Sequence, residues 1–293
     1  MRDDTPSHTA QWVAGARGLG RLLPEAVRIA DDPYGLAFLS SGIAGLVNRS
    51  ADGQAEAVTR IPGLRKWIIY MQVRTRVIDD DVRAFVAAGG RQLVMLGAGY
   101  DCRALRLTEL AGCKVYEIDH PATQDHKRAV LGRLGAISPS HYLAWDFETH
   151  PMDDLPAALA EAGHDATALT LTIWEGVTMY LTEGAIDASL RAIATWSAPG
   201  SGLVMNYQTK AQITKPSLAG RILRAAVQRV GEPFTFGWVP EQLPGYLEAR
   251  GFELVRNDSM AESARRLLPP ELAASTALPD THIALMRCTA RAS

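Results

Sequence analysis

The chain has 293 residues, of which 47% are hydrophobic and 21% charged, with a formal net charge of −2 and a pI near 6.4. This length suits one large α/β domain or two small ones, and the charge gives no basic surface for a nucleic-acid partner. The sequence also lacks a membrane span, a signal peptide, zinc-type cysteine and histidine spacing, and paired cysteines, so we expect a cytoplasmic protein with no membrane partner and no metal.

Residues 1–72 precede the first predicted strand and are expected to be largely helical. Apolar residues such as Val13, Ala16 and Leu19 recur at helical spacing, and Asp31-Asp-Pro-Tyr34 interrupts the pattern. A helical segment outside a sheet must bury its apolar face, and we interpret this one as a cap over a ligand crevice. A packing layer or the surface of a homodimer fits the pattern about as well.

The next predicted helix, Trp67 to Ala87, carries an arginine on its apolar stripe. Arg74 lies four residues before Ile78 and therefore faces inward, whereas Arg76 faces solvent and can pair with Asp80. A buried guanidinium needs a partner. A carboxylate of a bound ligand would serve as a bidentate partner, and an internal Asp or Glu is the alternative.

A short apolar run, Leu93 to Leu96, predicts a buried parallel strand, and a glycine-rich turn follows it. Gly97 and Gly99 leave the backbone bare, so a nucleotide-like ligand can approach the N–H groups of the turn and of the helix expected from Cys102. Asp119 ends the next strand 20 residues after Gly99, where a carboxylate accepts hydrogen bonds from ribose hydroxyls. The alternative is that Asp119 only caps the following helix.

The turn also indicates which nucleotide is bound. A dinucleotide fingerprint has a third glycine where this chain has Cys102, and Asp101 would place negative charge beside a pyrophosphate. A ligand without phosphates fits better. These residues favour S-adenosyl-L-methionine over NAD as the cofactor.

Strands and helices continue to alternate after Asp119, which predicts a mostly parallel sheet with helices on both faces. Asp146 and Phe147 follow the strand His141 to Trp145, where they could reach an adenine amino group and pack on its ring, or cap a helix. Glu175 follows the strand Ala168 to Trp174. It could hold an ammonium group, face a methyl acceptor, or simply begin a turn.

The alternation stops at residues 207–250, which we interpret as an insertion. It is basic (Lys210, Lys215, Arg221, Arg224, Arg229) and contains the aromatic run Phe234 to Trp238. A solvated helix explains the basic residues best, while the aromatic residues could equally complete a cap over an apolar acceptor. Two closing strands, Phe252 to Arg256 and His282 to Cys288, bring the predicted sheet to seven strands, within one domain that has its core at 73–206 and its closing segment at 251–293.

Several of these motifs together resemble the leucine carboxyl methyltransferase family, and in particular a bacterial branch that includes polyketide O-methyltransferases. The resemblance covers nearly the whole chain. It rests on Thr9-Ala10 with Arg17, Asp32-Pro-Tyr34, Arg74-Thr-Arg76 with Asp79-Asp80, the run Leu96 to Leu107, Glu117-Ile-Asp119 with Pro121 and Lys127, Trp174 to Leu181, and Gly231-Glu-Pro-Phe.

This resemblance implies the class I, Rossmann-like methyltransferase fold and a set of cofactor contacts. It assigns the cofactor carboxylate to Arg74, the methionine part to Gly97 and Gly99, the ribose to Asp119, the adenine to Asp146 and Phe147, and the amino-acid end to Glu175. Many methyltransferases have an acidic residue two positions before the first glycine, but Met95 stands there in this chain. The contact with the cofactor amino group must then come from another residue.

The expected reaction is a single in-line displacement from sulfonium to oxygen, on a small apolar or aromatic carboxylate or hydroxyl compound. A carboxylate is ionised at neutral pH, while a phenol, with a pKa near 10, usually needs a base. Candidate catalytic residues are Tyr180, Tyr207 and His120, of which His120 adjoins the ribose aspartate and reads as structural. The absence of an evident histidine base favours carboxyl methylation. An NAD-type oxidoreductase and a cofactor-binding protein without methyl transfer are the alternatives.

Overall fold

The computed structural model describes residues 6–39, 61–214 and 234–289. Seven strands in these ranges form one sheet. They are β1 (Gln92–Leu96), β2 (Lys114–Asp119), β3 (His141–Ala144), β4 (Thr170–Trp174), β5 (Gly202–Gln208), β6 (Phe252–Ser259) and β7 (Thr281–Cys288).

The strand order is β3-β2-β1-β4-β5-β7-β6, and only β7 runs antiparallel to its neighbours. The strand order therefore reverses between β1 and β4, which pair directly, with Leu93 opposite Leu171. Ligands of open parallel sheets bind beyond the carboxyl ends of the strands at such a reversal. The predicted fold class, a mostly parallel seven-stranded α/β sheet, is confirmed.

The described helices connect and cover these strands. They are α1 (His8–Leu19), α2 (Pro62–Ala87), α3 (Arg103–Arg106), α4 (Pro121–Arg133), α5 (Leu155–Glu161), α6 (Glu183–Trp196), α7 (Lys210–Thr214), α8 (Leu243–Glu248), α9 (Met260–Leu267) and α10 (Pro270–Ser275). Thr182 caps α6 by accepting a hydrogen bond from the Ala185 N–H at 3.2 Å, as its position predicts.

Both faces of the sheet are buried, because successive residues of the central strands enter different apolar clusters. Leu93 and Met95 pack with α1, α2 and α9, whereas Val94 and Leu96 pack with α5, α6 and α8. This burial explains why β1 reads as a continuous apolar run without alternation. Within the described ranges, no helix is both long and apolar enough to cross a bilayer.

Several helices of the structure differ from those predicted from the sequence. The helix after the glycine turn is a single turn, Arg103–Arg106, and begins one residue later than expected. The sequence reading also missed α9 and α10, which lie between the two closing strands. The basic residues Lys215, Arg221, Arg224 and Arg229 lie outside the described residues.

Candidate active site

The glycine turn after β1 has the backbone conformation that its sequence predicts. Gly97 and Gly99 have φ angles of +72° and +50°, a region of backbone conformation that residues other than glycine rarely adopt. The N–H groups of Gly97 and Ala98 both donate to the Ile118 carbonyl, at 2.9 and 3.1 Å. A Cβ on Gly97 would lie only 2.5 Å from Val177 Cγ2, so the wall opposite the turn leaves no room for one.

Asp119 lies at the end of β2, directly beside this turn. Its Oδ2 accepts a hydrogen bond from the Gly99 N–H at 2.6 Å, and its Oδ1 accepts one from the His120 N–H at 2.7 Å. Burial raises the pKa of Asp119 to about 6, although these two N–H groups and Lys127 partly offset the effect of burial. A carboxylate oxygen can accept more than one hydrogen bond, so both oxygens can still bind a ligand hydroxyl.

Glu175, which follows β4, bridges two arginines. Its Oε1 accepts from Arg74 Nε at 2.7 Å, and its Oε2 accepts from Arg103 Nη1 at 2.7 Å. Burial alone would raise the pKa of Glu175, but Arg103, Arg74 and Arg17 outweigh it and hold the pKa well below its ordinary value. The carboxylate is therefore ionised at any physiological pH.

More charged residues surround this bridge, and we call the whole set the charge cluster. It comprises four arginines and four carboxylates, namely Arg17, Arg74, Arg103, Arg106, Asp32, Asp79, Asp101 and Glu175. All eight are largely buried, and their formal charges balance. Such a cluster presents both signs of charge to one ligand, which suits a zwitterion such as an amino acid better than a lone anion.

These features line an open cavity of about 370 Å³ at the carboxyl ends of β1, β2 and β4. This volume is at the lower end of the range for small-molecule sites. The structure brings all seven predicted cofactor-binding residues to the wall of this cavity: Arg74, Gly97, Gly99, Asp119, Asp146, Phe147 and Glu175. The catalytic candidates His120 and Tyr180 also line it.

Arg74 has the internal carboxylate partner that was the predicted alternative, and it also faces the cavity. It pairs with the internal carboxylate of Glu175 and also lines the cavity, where its Nη2 approaches Gly176. Arg76, two residues on, pairs with Asp80 at 2.9 Å on the solvent side, as predicted.

Asp146 and Phe147 form the opposite end of the cavity. The Asp146 carboxylate accepts hydrogen bonds from the Glu148 N–H and the Thr149 hydroxyl, both at 3.0 Å. Asp146 therefore stabilises the turn that it begins, which corresponds in part to the alternative prediction that it caps a helix. Phe147 is 36% exposed, so its ring is available to a planar ligand group.

The three catalytic candidates occupy different environments. His120 Nδ1 accepts a hydrogen bond from the Ala122 N–H at 3.2 Å and so caps α4, in agreement with its structural reading. Tyr180 lies on the cavity wall, and its ring stacks on Phe234 at a centroid distance of 5.6 Å. Tyr207 does not line the cavity, because it is fully buried and donates its hydroxyl to Asn257 Oδ1 at 3.0 Å.

Three residues of α1 and Arg103 were not among the site residues predicted from the sequence, although the α1 segment was interpreted as a cap. Ala10, Val13 and Arg17 of α1 line the cavity, so this helix covers the ligand site. The i, i+4 spacing of Val13 and Arg17 could have shown that they share a face. Arg103 gave no such signal, because its helix has one turn and no periodicity to read.

Comparison with known proteins identifies relatives along most of the chain. A model of the leucine carboxyl methyltransferase family matches residues 10–194. A protein of Frankia alni is 31% identical over 248 residues, which cover 82% of this chain and 81% of the relative. A protein of Streptomyces coelicolor is 34% identical over 245 residues, covering 84% and 82%. Both carry the provisional name of S-adenosyl-L-methionine-dependent methyltransferases.

Solved structures share the fold at low identity. A DUF574-family protein of Streptomyces avermitilis superposes with a TM-score of 0.62 at 17% identity, over 97% of this chain and 98% of that one. A structure from Thermobifida fusca, titled as a provisional methyltransferase, superposes with a TM-score of 0.57 at 18% identity, over 93% and 98%.

Proposed function

Because this chain belongs to the leucine carboxyl methyltransferase family, whose members are S-adenosyl-L-methionine-dependent methyltransferases, we propose that it methylates an oxygen atom of a small molecule. The acceptor is a carboxylate or hydroxyl compound with an apolar or aromatic body, such as a polyketide, and the reaction takes place in the cytoplasm. The observation that carries this proposal is the cavity at which the glycine turn, Asp119 and the charge cluster meet apolar side chains.

The cofactor, S-adenosyl-L-methionine, supplies an electrophilic methyl group on a sulfonium cation that links an adenosine to an amino acid. The residues present fit each part of it. Asp119 offers two carboxylate oxygens to the ribose hydroxyls, and Phe147 offers a ring to the adenine. Arg74 offers a cation to the carboxylate of the amino acid, while Glu175 and Asp101 offer negative charge to its ammonium group. These two acids can make the contact with the cofactor amino group that Met95, which stands at the usual acidic position, cannot make.

The glycine turn is packed closely by other residues of the cavity wall. A Cβ on Gly97 would lie 2.5 Å from Val177 Cγ2, and one on Gly99 would lie 3.2 Å from Ala10 Cβ. A side chain at either position would therefore displace Val177 or Ala10, so the two glycines preserve the shape of the wall that a cofactor would contact.

Part of the remaining wall is apolar and can exclude water from the reacting atoms. Val13 of α1, Ile173 of β4 and Val177 and Leu181 of the following loop contribute to it. Holding two reactants in line can supply about 7 to 11 kcal/mol of the barrier reduction. Removing water also removes the hydration that lowers the reactivity of an oxygen anion. The chain's contribution to catalysis is thus mainly positioning and desolvation.

Aromatic residues at the edge of the cavity support an apolar or aromatic acceptor. Phe234 stacks on Tyr180, and the Thr235 N–H donates to the Met179 carbonyl at 2.8 Å, which fixes the segment after residue 233 against the 3-10 helix Thr178–Tyr180. Phe234 therefore supports the cap interpretation, whereas Trp238 of the same aromatic run is buried in the core against Tyr207 and supports the packing alternative. Tyr180 has a polar tip on the cavity wall and could orient an acceptor oxygen.

The environments of the catalytic candidates favour an acceptor that needs no base. His120 uses one of its two ring nitrogens, Nδ1, to accept the Ala122 N–H, which leaves Nε2 as the N–H donor of the neutral ring, and the Tyr207 hydroxyl is engaged with Asn257 away from the cavity. A carboxylate acceptor is already ionised at neutral pH, so carboxyl methylation demands only that the chain position it.

The test is transfer of labelled methyl from S-adenosyl-L-methionine into a bacterial metabolite extract, followed by mild alkali. We expect label in a small organic molecule and its release as methanol, because alkali cleaves methyl esters but not ethers. Label that resists alkali would show ether formation and contradict the carboxyl preference. No label in any small molecule, in spite of measurable cofactor binding, would contradict methyl transfer itself.

A further inference from the structure

Arg103 joins three separate segments of the chain through carboxylates. Its Nε donates to Asp79 Oδ1 of α2 at 2.7 Å, and its Nη1 contacts both Asp101 of the glycine turn and Glu175 after β4, the latter at 2.7 Å. The side chain is fully buried. Any movement of Arg103 must therefore displace carboxylates in three elements together.

Arg103 does not line the cavity, but two of its partners do. Asp101 and Glu175 both face the cavity at the end where Arg74 lies. Arg103 can therefore influence a ligand only through these two carboxylates. Both Asp101 oxygens bind Arg103, one through the side chain and the other through the Arg103 N–H at 2.8 Å.

Neighbouring cations fix the residues that bind the Arg103 guanidinium. Arg106 makes two hydrogen bonds to Asp79, at 2.6 and 2.7 Å, so the carboxylate that anchors Arg103 Nε is fixed from both sides. Lys127 donates to the Asp101 carbonyl and also pairs with the buried Glu117. Fixed surroundings of this kind are what a site needs in order to present charges at defined positions before a ligand binds.

We infer that Arg103 is a positioning residue, which holds Glu175 and Asp101 as a preformed pair of anions for the ammonium group of the cofactor. This inference rests on the proposed function, since it takes the amino-acid end of S-adenosyl-L-methionine to bind beside Arg74. Without the Arg103 side chain, Glu175 would retain its bond to Arg74 and Asp101 would retain its bond to the backbone N–H of residue 103, but both carboxylates would lose the guanidinium that joins them.

Two ligands separate this role from a merely structural one. S-adenosylhomocysteine carries the amino-acid end, whereas 5′-methylthioadenosine has the same adenosine and sulfur without it. If Arg103 acts through Glu175 and Asp101, its removal weakens binding of the first ligand and spares binding of the second. A general loss of structure would weaken both.

The experiment is calorimetry of both ligands with the full-length wild type and with the Arg103→Lys and Arg103→Met variants, with folding checked by circular dichroism. We expect each variant to bind S-adenosylhomocysteine about tenfold or more weakly, with 5′-methylthioadenosine affected less than about threefold, since a charge-assisted hydrogen bond is lost only at the amino-acid end. Arg103→Lys keeps the charge but not the forked geometry, so it tests positioning even if Arg103→Met does not fold.

Arg76→Met is the matched control, because it removes an arginine of α2 that pairs with Asp80 on the solvent side. It should leave both affinities unchanged. Equal losses for the two ligands in the Arg103 variants, or no loss for either, would overturn the inference. If the wild type itself binds the two ligands equally well, the cofactor placement in the proposed function fails instead.

Discussion

Asp119 should make cofactor binding depend on pH between 5 and 7. Burial raises its pKa to about 6, and the ionised form is the one whose two oxygens can both accept hydrogen bonds from ribose hydroxyls. Because the pKa is raised, the carboxyl of the ligand-free protein takes up a proton as the pH falls through about 6. Binding must then release that proton, so affinity decreases on the acid side.

The size of the effect follows from the fraction of Asp119 that is ionised. With a pKa of about 6, roughly 0.9 of the carboxyl is ionised at pH 7 and roughly 0.1 at pH 5, so affinity should fall about tenfold, or about 1.4 kcal/mol. The carboxyl and amino groups of the ligand titrate outside this window.

The assay is calorimetry with S-adenosylhomocysteine at pH 5, 6 and 7 on the wild type and on Asp119→Asn. The variant should bind about 1 to 3 kcal/mol more weakly at pH 7, because an amide cannot accept from both the Gly99 and the His120 N–H groups and from the ligand. Its affinity should hardly change with pH. A variant with the same slope as the wild type would refute the assignment, since the slope would then belong to another group.

Three further predictions address the rest of the site. Arg74→Ala should weaken binding of S-adenosylhomocysteine by about 1.5 to 3 kcal/mol while the chain stays folded, measured by calorimetry and circular dichroism; loss of fold with intact affinity would indicate a purely structural pair with Glu175. Gly97→Ala should destabilise the fold and abolish cofactor binding, whereas Gly112→Ala, which also has a positive φ but open space around it, should cost only about 1 to 2 kcal/mol in thermal unfolding. Phe234→Ala should raise the KM for the acceptor more than the KM for the cofactor in steady-state kinetics, because its ring stacks on Tyr180 of the cavity wall; an equal rise in both would contradict a role of this ring in placing Tyr180 for the acceptor.

The parts of the fold that the sequence predicts well are those in which local pattern and burial agree. β1 reads as a continuous apolar run because it is covered on both faces. The α2 stripe placed Arg74 inward and Arg76 outward, and both orientations are confirmed. Gly97 and Gly99 were recognised because only glycine tolerates their φ angles without strain.

The errors occur where tertiary contacts outweigh local pattern. Tyr207, a catalytic candidate, is buried because its ring packs against Trp238 and His282, and its hydroxyl donates to Asn257 of β6. The missed helix α9 is a different case, because its eight residues carry two local signals: a capping box at Ser259 and Glu262, and apolar residues at helical spacing (Met260, Ala264 and Leu267). Arg103 was missed because its importance comes from partners 24 and 72 residues away, which no local pattern can indicate.

A crystal structure of the protein with S-adenosylhomocysteine tests the central claim most directly. We predict that both ribose hydroxyls lie within hydrogen-bond distance of the Asp119 carboxylate, with the amino-acid end between Arg74 and Glu175. A ligand bound outside this cavity, or one lying in it with its ribose away from Asp119, would contradict the proposed site.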